Sequence, residues 1–115
     1  MPSYEKLNSE SKMSVGDNDL NSDQNLHAFG VSYISNFLNR VGFTILEVNT
    51  DPDHHFQLLV KINNKSLMIA VRTACHPDIG TIDSFSLETL IRESEELDVS
   101  PHFAGLSVKP NAKNE

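Results

Sequence analysis

Residues 56–73 read FQLLVKINNKSLMIAVRT, and this stretch decides the fold. Two apolar runs flank Asn63-Asn64. Asn tolerates positive φ, so this pair fits a two-residue hairpin turn. The first run, Phe56 to Ile62, predicts a strand. The second, Leu67 to Thr73, is apolar nearly throughout, which predicts a central strand with both faces covered.

The flanking sequence supplies the cover. Upstream, Phe43 to Val48 (FTILEV) predicts another strand, and Asn49-Thr50-Asp51-Pro52-Asp53 is turn chemistry. Before it, Leu26, Phe29, Tyr33, Ile34, Phe37, Leu38 and Val41 recur at three- and four-residue steps, the period of a helix. Ser22, Asp23 or Asn25 can cap its start, and Gly42 stands where a left-handed residue past the helix end belongs. Gly30 within the helix costs about 1 kcal/mol relative to Ala and points to close packing against a sheet.

Downstream, Cys75 to Ser84 reads as a loop containing Pro77 and Gly80. A second helix is expected from about Ser86 to Leu97, with Leu87, Leu90, Ile91, Ser94 and Leu97 as its inner stripe. Asp83, Ser84 or Ser86 can cap it. Its Glu-rich outer side reads as a solvated face. His102 to Val108 (HFAGLSV) predicts a last strand after Pro101. The expected class is α/β, in the order helix-strand-strand-strand-helix-strand. Three strands form a meander, and the second helix is a crossover that lets the last strand run parallel to the third, giving a mixed four-stranded sheet.

The chain has 115 residues, enough for one domain. A chain this long buries roughly two-thirds of its unfolded surface. Residues 1–24 are polar with unpatterned apolar residues and are expected to be a disordered acidic tail. The single domain is expected over residues 25–110, with a disordered C-terminus at 111–115. The net charge is −7, shared between the tail and the domain. An acidic domain repels a phosphate backbone at long range, so nucleic-acid binding is disfavoured but a local basic groove stays compatible. Cys75 is the only cysteine, which suits a reducing compartment. No apolar run reaches the ~20 residues of a membrane span, and the N-terminus carries no signal-peptide pattern. The expected location is the cytoplasm.

The element order, with Gly42-Phe43 opening the first strand, resembles the core of the PD-(D/E)XK nuclease superfamily, which includes Holliday-junction resolvases and many restriction enzymes. The resemblance covers residues 26–108 and implies a three-layer, restriction-endonuclease-like fold. It implies a metal-binding Asp on the second strand, where this chain has Gln57. It implies (Asp/Glu)-x-Lys on the third, where this chain has Ala70-Val71-Arg72. In that family two carboxylates hold Mg²⁺, and the metal polarises the phosphate and lowers the pKa of a bound water. Both carboxylates are missing at the matched positions. Arg72 keeps a positive charge but cannot cycle a proton.

Three readings follow. In the first, the chain is a non-catalytic nuclease-like domain that serves as an interaction or regulatory module, needs no cofactor and forms a homodimer over an open sheet edge or a helix face. In the second, it is a metal-dependent nuclease whose carboxylates have moved to Glu47, Asp51 and Asp53. The simpler view of those three is an exposed strand residue and a turn. In the third, it is a small zinc protein. His54, His55, Cys75 and His76 lie at hairpin ends that approach each other, and imidazole and thiolate suit zinc. Adjacent ligand pairs are not the usual structural-zinc spacing, so surface histidines beside a packed cysteine are the simpler account.

Overall fold

The computed structural model describes residues 23–109. The tail expected at 1–24 lies outside the described residues except for its last two positions, and the C-terminal segment 111–115 lies outside them altogether. Helix α1 spans Asp23–Arg40, followed by strands β1 (Thr44–Val48), β2 (Leu58–Ile62) and β3 (Lys65–Cys75). Helix α2 (Ser84–Leu97) and strand β4 (Ser100–Val108) complete the order, which is the expected one. The sheet runs β1-β2-β3-β4, with the first three strands antiparallel and β4 parallel to β3.

Strand β3 is the axis of the molecule. Side chains alternate across a strand, and both sides of β3 are used. Ile69 and Val71 are buried with Leu58, Val60 and Val31 of α1, with Ile34 and Leu38 packed against them. Met68 and Ala70 point the other way, into a cluster with Phe56 and Leu90 of α2. One helix therefore covers each face, in three layers.

Glycines let the layers close. A Cβ on Gly30 would run into the Oγ1 of Thr73 on β3, so α1 lies directly on the sheet there. A Cβ on Gly80 would strike the Arg72 carbonyl, so the loop before α2 lies against the β3 backbone. At the hairpin, Ile62 pairs with Lys65 across Asn63-Asn64, and Asn63 takes a φ of 57°.

Element ends differ from the sequence expectation for identifiable reasons. Strand β3 is longer at both ends, because Lys65 and Ser66 pair across the tight turn and Ala74 and Cys75 pair with Ser107 and Val108. Strand β4 begins at Ser100 and includes Pro101, which an edge strand admits when the ring nitrogen faces away from the ladder. Helix α2 starts at Ser84, because the Asp83 side chain accepts from the Ser86 N–H.

The helix stripes are corrected as well. The inner line of α1 is His27, Val31, Ile34 and Leu38; Tyr33, Phe37 and Val41, expected inside, are 56%, 43% and 52% exposed. On α2 only Leu90 and Ser94 are buried, while Leu87, Ile91 and Leu97 remain open. A polar His27 on the inner line disguised where the face of α1 lies.

Candidate functional site

The residues singled out by sequence gather around one end of the sheet, where β2 begins and β3 finishes. Gln57 sits immediately before β2, and its side chain is fully buried. Its N–H donates to the Ile69 carbonyl at 2.9 Å, and its carbonyl accepts from Asn49, so its backbone still belongs to the ladder. The chain then peels away from β3. The next ladder donor, the Val71 N–H, would lose its partner there. The Gln57 Oε1 takes that donor at 2.7 Å.

Every hydrogen-bonding position of this amide is used. Oε1 also accepts from Arg72 Nη1 at 3.0 Å. Nε2 donates to the His54 carbonyl at 2.8 Å and the Asp51 carbonyl at 3.3 Å. A carboxylate has no N–H, so Asp or Glu here could not satisfy those two carbonyls. Glutamine ties β3, the 51–56 turn and Arg72 together.

Arg72 Nη1 also donates to the Val71 carbonyl at 3.0 Å. Burial holds the guanidinium below the ordinary arginine value, while Asp83 and Asp53 pull the other way. Ala70 is fully buried among Phe56, Met68 and Leu90, with its methyl packed against α2.

The proposed relocated acids serve the turn. The Asp51 N–H donates to Asn49 Oδ1, and the Asp53 N–H donates to Asp51 Oδ1, both at 2.9 Å. These are local side-chain turns of the kind Asn and Asp favour. Glu47 is an exposed residue of β1, next to a register shift between Ile45 and Glu47.

The four suggested zinc ligands do not assemble. His54, His55 and Phe56 form a cluster with ring centroids 4.5 to 5.1 Å apart, both imidazoles edge-on to the Phe56 ring, and His55 Nε2 faces Glu93 of α2 at 3.6 Å. Cys75 and His76 belong to the β3–β4 ladder end, where the His76 N–H donates to the Val108 carbonyl. Among the described residues no three His, Cys, Asp or Glu side chains group in a way that could hold a metal ion.

Sequence reasoning missed His27. It is 6% exposed, and its Nε2 has no hydrogen-bond partner. Burial and the nearby Arg72 charge lower its pKa below 6.5, against a smaller pull from Asp51. The available signal was spacing: His27, Val31, Ile34 and Leu38 fall at helical steps. Asp83 was recognised as a cap, but its electrostatic reach to Arg72 was not.

Fold and site together define a small α/β sandwich whose sheet end is closed by a hydrogen-bonded glutamine. Residues 24–115 match a family model described as Domain of unknown function (DUF8840), and the chain belongs to that family. No curated protein and no solved structure matches the chain. Among the described residues no helix is long and apolar enough to cross a membrane.

Proposed function

We propose that this chain is a non-catalytic, nuclease-like domain that acts as an interaction or regulatory module. One observation carries the reading: at the two positions where the resemblance calls for metal-binding carboxylates, the chain has an amide with every bond committed and a buried methyl. A hard cation needs anionic oxygen ligands. Gln57 Oε1 is neutral and already accepts two hydrogen bonds. The charge of −7 adds long-range repulsion of a polyanionic substrate.

The test is incubation of the pure protein with single-stranded, duplex and branched nucleic acids in about 10 mM Mg²⁺ or Mn²⁺, a range in which weakly bound hard cations load. No cleavage is expected. The control is the double variant Asp51→Ala, Asp53→Ala. Cleavage present in the wild type and lost in that variant would replace this reading with relocated carboxylates.

A further inference from the structure

We infer that the outer edge of β4, with the apolar flank of α2 beside it, is the docking surface for a second copy of this chain. The inference rests on the interaction-module reading and names its partner.

The two edges of the sheet are unlike. Strand β1 is five residues long, is interrupted by a register shift and carries Glu47 exposed. Those are the devices that keep a sheet edge from pairing. Strand β4 runs nine residues in unbroken register with β3. It contains no Asp, Glu, Lys or Arg. The Val108 carbonyl accepts from His76, so Val108 turns its backbone towards the β3 side. Backbone direction alternates along a strand, so Phe103, Gly105 and Ser107 turn their N–H and C=O groups outward, and Pro101 near the strand start turns the same way with a carbonyl alone. Among the described residues no strand pairs with that edge.

One helix layer lies beside it. Helix α1 approaches β4 at Gly30, which faces Thr73 and Leu106, and runs from there over β3 towards β1. On α2, Leu90 and Ser94 point inward and Glu93 reaches back to His55. Leu87 and Ile91 therefore occupy the opposite flank, towards β4, and are 39% and 40% exposed. Phe103 on the strand is 40% exposed.

A second copy suits this surface for two reasons. The strand is uncharged in a chain of charge −7, so antiparallel β4–β4 pairing about a twofold axis joins two acidic molecules along their neutral stretch. The surface is also partly apolar. Leu87, Ile91 and Phe103 expose on the order of 200 Å² per copy, about a quarter of the ~800 Å² per partner of a standard interface. The other eight strand residues and their backbone add to that.

The test is sedimentation equilibrium of the full chain from about 1 to about 100 µM, the range that resolves a micromolar dimer. Wild type is expected to dimerise, and Phe103→Glu to weaken the dimer at least about tenfold (roughly 1.4 kcal/mol). Leu46→Glu, on the β1 edge, is expected to change nothing. Because Phe103→Glu can disturb folding, amide hydrogen exchange of the wild type is read in parallel. Phe103, Gly105 and Ser107 should gain protection as concentration rises. A wild type that stays monomeric with exchange independent of concentration overturns the inference, as does a dimer that Phe103→Glu leaves intact. Those results leave the non-catalytic reading standing, since only the cleavage assay tests that.

Discussion

At the scale of single residues, Gln57 does the work of a strand end. Its Oε1 replaces the ladder acceptor that Val71 would otherwise lack, and its Nε2 closes the 51–56 turn. Truncation to Ala leaves a buried N–H without a partner, a loss of about 1–3 kcal/mol, with a cavity added. Gln57→Glu keeps the size but faces two carbonyls with a carboxylate, and buries charge beside a single guanidinium contact. Both variants are expected to melt at least about 4 °C lower, using roughly 4–8 °C per kcal/mol for a domain of this size. Thermal denaturation followed by circular dichroism checks this; a Gln57→Glu protein as stable as wild type would mean that the network is slack. The sequence could locate Gln57 at a meaningful position but could not reveal its role. Its partners are backbone groups three, six and fourteen residues away, and no residue pattern encodes those.

At the scale of elements, hydrophobic period made all six legible, because each is decided by its own local sequence. The ends were less so, because pairing decides them: Lys65 and Cys75 enter β3 only through Ile62 and Val108. The helix faces were read too wide. Seven apolar residues mark α1 in sequence, yet the core uses a narrower line through His27 and Val31. Period reports that a face exists; it does not say how much of that face one molecule covers. The start of α2 offers a clean test. Asp83 accepts from Ser86 at 3.2 Å, and these hydrogen bonds hold its carboxyl below the ordinary value. Asp83→Ala should lower stability measurably, and Asp83→Asn much less, since asparagine also caps. Equal losses for the two variants in urea titrations would mean that charge towards Arg72, rather than capping, is what Asp83 contributes.

At the scale of the whole molecule, His27 makes stability depend on pH. The imidazole lies on the inner line of α1 within the field of Arg72, and Asp51 is the opposing carboxylate. Its folded pKa lies below 6.5 through burial first and Arg72 second. The sign follows directly. Above pH 6.5 the ring is neutral in both folded and unfolded chains. Below it, the unfolded chain takes up a proton that the folded one resists, so stability falls as the solution is acidified. Asp83 works in a lower window: its folded pKa lies below 3.8, so its contribution is present above that value and is lost beneath it. The interval between the two windows isolates the histidine. His27→Leu removes both the titration and the unpartnered buried Nε2. Replacing an unsatisfied polar group by an apolar one of similar size is neutral or stabilising. The variant should therefore melt no lower than wild type at about pH 7.5. It should then pull ahead of wild type as the pH drops to about 5, where wild type carries the proton-linked loss. Comparing the two proteins at each pH removes the shared effect of the falling net negative charge. Melting curves that stay parallel across that interval would show that His27 titrates alike in folded and unfolded chains, and would place the acid sensitivity of the molecule elsewhere.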